Sequence, residues 1–167
     1  ECDFTNPSYH LPHFYELFAK WANEEDREFW KEAAKASREY LKVACHPITG
    51  LSAEYAEYDG SPCIKWNEGI TRHDWFYSDS YRTIANIALD YEWFGVEAEE
   101  RKIANNIQKF CYETLAGVMD GIYNIDGTVV EGKALHPIAI IATMAQASLA
   151  ADGPYAMRAV QDLWDTP

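Results

Sequence analysis

The chain alternates between stretches that are apolar almost all round and stretches that are apolar on one side only. Residues 79–94 set Ile84, Ile87, Ala88, Tyr91 and Phe94 on one helical face, while Ala85, Leu89 and Trp93 make much of the rest apolar. Such a helix is expected to be buried. The run PIAIIATMAQASLAA, residues 137–151, contains no charged residue. At about 15 residues it is too short to span a bilayer, so it too predicts a buried helix. A further buried helix is predicted from Pro12, a favourable first-turn residue, through HFYELFAKWA.

Amphipathic segments lie between and after these. Residues 24–45, EEDREFWKEAAKASREYLKVAC, place Phe29, Ala33, Ala36, Tyr40 and Val43 on one side and crowd the other with Glu and Lys. Residues 97–117 carry Ile103, Ile107, Phe110 and Thr114 as an inward stripe, begin with acids suited to a helix N-terminus, and stop at Gly117. The last helix opens at DGPY, with Pro154 in its first turn, and runs to Trp164 before DTP ends it.

The order is therefore buried, exposed, buried, exposed, buried, exposed. Consecutive helical hairpins, each with one helix toward a centre and its partner toward solvent, produce that order in concentric α/α barrels and in helical solenoids. No repeat of fixed length is visible, which favours the barrel. The fold class is all-α. Three hairpins make an arc that leaves its inner helices uncovered, so the chain is expected to be part of something larger. Two loops interrupt the helices. Residues 45–78 form a long connection, and GIYNIDGTVVEGK, residues 121–133, reads as a hairpin turning at Asp126-Gly127. Loops this long within a compact domain are usually functional.

Charge removes several functional classes. Fourteen basic against twenty-seven acidic residues leave a net charge of −13 over 167 residues. That surface repels phosphate backbones and anionic lipid, so neither nucleic acid nor membrane is an expected partner. Cys2, Cys45, Cys63 and Cys111 form no CxxC pair, and read as free thiols of a reducing, cytoplasmic compartment. Aromatic residues make up 14% of the chain. Their flat rings suit sugar faces as well as ordinary cores.

Candidate chemistry gathers where inner helices begin, at NPSYHLPHF, YSDSYR and KALHPIAI. If the three inner helices run parallel, Tyr9, Asp79, Arg82 and His136 surround one cavity. Each also has an ordinary reading: Asp79 as a helix cap, Arg82 as its i,i+3 salt-bridge partner, His136 as a cap residue, Tyr9 as a packing ring. His10 and His13 resemble a metal pair, but Pro12 intervenes and no third ligand is evident. No metal or cofactor is expected. The metal-free alternative is carboxylate acid–base chemistry: in an inverting glycosidase a base carboxylate and a second group hold the attacking water. Asp79 with Tyr9 supplies that half, and Arg82 favours the ionised carboxylate. Asp74 reads as a solvated acid or a rim contact.

Together NPSYHLPHFYELF, YSDSYR and LHP resemble glycoside hydrolase family 8, and most closely its reducing-end xylose-releasing exo-oligoxylanases. The similarity extends to residues 21–47 and to DGPYA. It implies an (α/α)6 barrel of inverting enzymes, of which residues 1–167 supply about three inner/outer hairpins. It implies that Asp79 is the general base and that Tyr9 helps hold the water. His136, between Leu135 and Pro137, would read the anomeric hydroxyl of a reducing-end xylose and wall off the cleft beyond it. The implied substrate is a β-1,4-xylo-oligosaccharide. Nothing in the sequence matches the motif of the family's proton-donating Glu, nor the closing helix after DTP. The chain is thus expected to be a C-terminal half that pairs with the N-terminal half of the same barrel and is inactive alone. The loop SPCIKWNEGITRHDW, residues 61–75, departs from the family pattern. The competing readings are an endo-xylanase or endo-glucanase of that family, and a non-catalytic helical sugar-binding or scaffold domain.

Overall fold

The computed structural model describes residues 3–69, 72–96 and 98–167. Six α-helices follow in chain order: α1 (Pro12–Trp21), α2 (Arg27–Ala44), α3 (Tyr81–Phe94), α4 (Ala98–Lys109), α5 (Pro137–Ala147) and α6 (Ala156–Asp165). Neighbours in sequence pack as hairpins, α1 on α2, α3 on α4 and α5 on α6, and α3 also contacts both α1 and α5. On the other side α4 touches both α2 and α6. The result is an inner row, α1–α3–α5, backed by an outer row, α2–α4–α6.

Helix ends follow local chemistry. Pro12 and Pro137 occupy first-turn positions, where a missing N–H costs nothing. Gly95 ends α3 in the left-handed region, at φ 56°, and returns its N–H to the Tyr91 carbonyl. Pro154 lies in the turn just before α6 rather than inside it. No helix among the described residues is long and apolar enough to cross a membrane.

The core lies between the rows. Ile84, Ile87 and Ala88 of α3 meet Ile103, Ala104 and Ile107 of α4 and Ile140, Met144 and Ala147 of α5. The stripe expected on α2 is corrected. Its buried residues are Ala34, Ser37, Arg38, Leu41 and Ala44, whereas Phe29 and Val43 are 65% and 55% exposed. The cause is charge. Asp90 on α3 sits wholly inside, and Arg38 turns inward to meet it, Nε and Nη2 donating to both carboxylate oxygens at 2.7 and 2.8 Å. Arg38 Nη1 donates to Glu16 of α1 at 2.7 Å. A planar guanidinium satisfied on three sides can be buried where a lone cation cannot. The displaced stripe instead lines a surface groove of about 500 Å³, where Phe29, Ala33 and Tyr40 lie beside Tyr15 and Trp30.

The inward stripe of the fourth helix is corrected at its end. A π turn over Phe110–Thr114 follows α4, and its wider winding shifts every later side chain around the axis. Phe110 stays inward, Cys111 and Tyr112 join it, and Thr114 faces out. Tyr112 Oη then donates to Asp162 of α6 at 2.9 Å. Nor are α1 and α5 covered all round: Phe14, Phe18 and Trp21 of α1 and Ile138 of α5 are exposed. Such bare apolar flanks are what an arc of inner helices leaves on its open side.

The hairpin is present as β1 (Ile122–Tyr123) and β2 (Val129–Val130), antiparallel, with Gly127 at φ 92° in the turn. Phe76 N–H donates to the Tyr123 carbonyl at 2.8 Å and ties the long loop to it. Cys45, Cys63 and Cys111 are free and buried. Cys2, and Glu97 at the expected start of the fourth helix, lie outside the described residues.

Candidate active site

The segment NPSY folds as a small device. Pro7–Tyr9 form a 3-10 turn capped by Asn6, whose Oδ1 accepts the Ser8 N–H at 2.9 Å. Ser8 is buried, and its carbonyl accepts from Asn86 Nδ2 of α3 at 2.8 Å. With Ser8 anchored inward, Tyr9 is turned out and is 59% exposed.

The segment YSDSYR forms the mouth of α3. Ser78–Ser80 make a 3-10 turn, and the helix entrance is served by Ser80, whose Oγ accepts the Tyr77 N–H at 2.8 Å. Asp79 is therefore free for other partners. Ser78 lies at φ 54°, a left-handed conformation that a side chain resists and that recurs at functional sites.

These two devices meet. Tyr9 Oη donates to Asp79 Oδ2 at 3.1 Å across 70 residues of sequence. Arg82, one turn into α3, forms an ion pair with the same carboxylate, and its guanidinium lies 5.1 Å from the centre of the Tyr9 ring. Carboxylate, phenol and guanidinium thus form one half-exposed cluster. The mouth of α5 stands at the same end: burial pushes the Tyr81 hydroxyl up to about 12, opposed by the backbone of Ser78 and Leu135 lying against it. His136 follows as the residue before α5. Its imidazole is exposed and makes no capping bond to the helix. The structure brings Tyr9, Asp79 and Arg82 into contact; Leu135, His136 and Pro137 lie at the same end, and among the described residues no hydrogen bond or ion pair joins them to the three.

Asp74 is corrected. Its side chain is largely buried and takes two bonds from Arg72, at 3.0 and 2.8 Å, and one from Asn67 at 2.9 Å. Burial raises its pKa, but the hydrogen bonds from Arg72 and Asn67 outweigh that and hold the carboxyl below its ordinary range. It staples a loop. His10 is also committed, with its two ring nitrogens on Thr5 Oγ1 and Ser37 Oγ.

The long loop contributes more than the sequence revealed. Glu54 and Tyr55 lie alongside residues 73–75, with Tyr55 N–H on the His73 carbonyl and Glu54 N–H on that of Trp75. This places Glu54 Oε2 3.3 Å from His73 Nδ1. Burial raises the Glu54 carboxyl above its ordinary range and nearby Asp79 adds to this, while His73 and Arg82 oppose. Glu54 thus belongs to the electrostatics of the Asp79 cluster. A cavity of about 580 Å³ is lined by Glu54, His73, Trp75, Tyr77 and Ser78, the residue before Asp79; Tyr9, Asp79 and Arg82 themselves do not line it. The signal was the density of acids and aromatics in SAEYAEY and HDWFY, hidden because no periodicity orders a loop.

Inner and outer helical rows, with a carboxylate, a phenol and a guanidinium gathered at the mouths of the inner helices, make this chain part of a helical barrel. Residues 2–163 match the sequence profile of glycosyl hydrolases family 8, and the chain belongs to that family. Its three hairpins are a part of the (α/α)6 barrel.

Among the relatives is the reducing-end xylose-releasing exo-oligoxylanase Rex8A of Paenibacillus barcinonensis, 55% identical over 168 residues that cover 100% of this chain and 43% of that protein. The reducing end xylose-releasing exo-oligoxylanase of Halalkalibacterium halodurans is also 55% identical, covering 100% of this chain and 42% of its own length. The solved structure of the Paenibacillus Rex8A complexed with xylose superposes with a TM-score of 0.92 at 52% identity, over 100% of this chain and 44% of that one. The chain spans less than half the length of the curated relatives it matches.

Proposed function

We propose that residues 1–167 form the C-terminal half of a single catalytic barrel that releases xylose from the reducing end of β-1,4-xylo-oligosaccharides with inversion. The observation that carries this reading is the Tyr9–Asp79–Arg82 cluster at the inner-helix mouths, within a chain 55% identical throughout to two reducing-end xylose-releasing exo-oligoxylanases.

Asp79 is the general base. With Oδ2 occupied by Tyr9 and Arg82, its second oxygen takes a proton from water as that water attacks the anomeric carbon. Tyr9 Oη donates its own proton to Asp79 and keeps lone pairs for a water proton, so the two groups aim one molecule. Arg82 stabilises the carboxylate in its charged, proton-accepting form. The proton donor stands about 6.5–9.5 Å from the base in such enzymes, to leave room for the water. We assign it to the N-terminal half of the barrel, so this chain by itself does not turn over. Leu135, His136 and Pro137 close the reducing-end side. A polar group placed to bond one particular hydroxyl rejects substrates that lack it, because it is then left unpaired.

Two measurements on the complete enzyme test this. Tyr9→Phe keeps the ring and removes the hydroxyl; the expected loss in kcat is about 10- to 1,000-fold with KM little changed. Unchanged turnover removes Tyr9 from the mechanism. The specificity test is chromatography of products from xylo-oligosaccharides labelled at the reducing end. Labelled xylose should be the main early product, and His136→Ala should add labelled disaccharide and longer fragments. Labelled disaccharide or longer as the main early product of the unmutated enzyme would falsify the exo reading and leave an endo-acting enzyme.

A further inference from the structure

The cavity that reaches Ser78, next to Asp79, is not alone in touching His73. A second cavity, of about 310 Å³, meets the same residue and is lined by Phe4, Tyr55, Trp66 and Glu68 as well. His73 is the wall common to both. One face of its ring lies flat on Tyr55, at 4.1 Å between centroids and 9° between planes. Its Nδ1 is buried against Glu54. The side chain is nevertheless 19% exposed, and Nε2 is not among its buried atoms, so the Nε2 edge is what reaches the cavities. Phe4 stands beside the stack, its centroid 4.8 Å from Tyr55 and 5.5 Å from Trp66. Aromatic walls with one directed polar edge are the usual construction of a saccharide subsite.

We propose that His73 is a saccharide-binding residue of a subsite beyond Asp79, with Glu54 as its positioning residue. The inference rests on the glycosidase reading above and extends it along the cleft. Glu54 Oε2 lies 3.3 Å from Nδ1, a charge contact without hydrogen-bond geometry that orients the ring and leaves Nε2 as its free edge. Nε2 then hydrogen-bonds a hydroxyl of a xylose unit lying against the Phe4–Tyr55–Trp66 aromatics. His73, Trp66 and Glu68 all lie in the long loop before α3, so that loop sets the chain-length preference of the subsite.

The test uses the complete enzyme carrying Asp79→Asn, so that xylotetraose binds without being cut. Titration calorimetry should show about tenfold weaker binding for His73→Phe, which keeps the stack on Tyr55 and removes both nitrogens. His73→Leu reads the same loss should His73→Phe fail to fold. Glu54→Ala should weaken binding by a similar factor, Glu54→Gln by less because it fills the same place beside the ring. The pair Glu54→Ala/His73→Phe should be no worse than His73→Phe alone, since Glu54 acts only through the imidazole. Affinity within twofold of the parent in a folded His73 variant overturns the binding role. Full additivity in the double variant overturns the positioning role. A parent that binds no xylo-oligosaccharide overturns the glycosidase reading and this subsite with it. A parent that binds, with cleavage by the enzyme that keeps Asp79, while His73 variants match the parent in affinity, overturns the subsite alone.

Discussion

Asp79→Asn in the complete enzyme is expected to lower kcat on xylo-oligosaccharides about 10⁴-fold, the upper end of what a positioned general base contributes. The amide matches the carboxylate in shape and can still accept from Tyr9, so melting temperature should be nearly unchanged. It has no basic oxygen, so water is no longer deprotonated as it attacks. Asp74→Asn provides the contrast. Asp74 is held by Arg72 and Asn67 and faces loop rather than water, so its replacement should affect stability more than rate. A dead Asp74→Asn beside an active Asp79→Asn would show that the wrong acid carries the chemistry.

The second large effect falls on stability. Asp90→Ala should destabilise the fold by about 3–5 kcal/mol, the range seen when one partner of a buried ion pair is removed. Arg38 would keep its charge in a site from which water is excluded, with only Glu16 left to answer it. His13 gives no relief: burial lowers its pKa first of all, and among the described residues neither of its nitrogens has a hydrogen-bond partner. Replacing both members, Arg38→Met with Asp90→Leu, should recover most of the loss because no buried charge remains. Denaturant unfolding of the three variants reads this directly. A double variant as unstable as Asp90→Ala would mean that packing, not charge, holds α2 against α3.

Where the sequence was legible, a single physical rule decided the outcome. Burial of α3 and the hairpin at Asp126-Gly127 follow from apolar content and turn chemistry, and both stand. The contact of Tyr9, Asp79 and Arg82 was legible because they lie at the mouths of two inner helices, and those mouths meet. Two rules competed on α2. Hydrophobicity put Phe29 and Val43 inward, but pairing of Arg38 with Asp90 won. A charge buried by a partner 52 residues away leaves no periodic trace. The π turn after α4 is a backbone choice that no side-chain pattern announces, and it carried Thr114 to the surface. Glu54 and His73 were missed because a backbone ladder between 54–55 and 73–75 joins them, and residues 45–78 carry no helical or strand period to suggest one.

The two bonds on Asp79 differ in their mechanical meaning. The ion pair with Arg82 lies within one helix, three residues apart, and is rigid with α3. The bond from Tyr9 reaches across 70 residues, from the turn ahead of α1. That turn is itself pinned to α3, because the Ser8 carbonyl accepts from Asn86. A shift of α1 along α3 must therefore break the Ser8–Asn86 bond before it can part Tyr9 from Asp79, so the separation of phenol and carboxylate is guarded by a residue that touches neither.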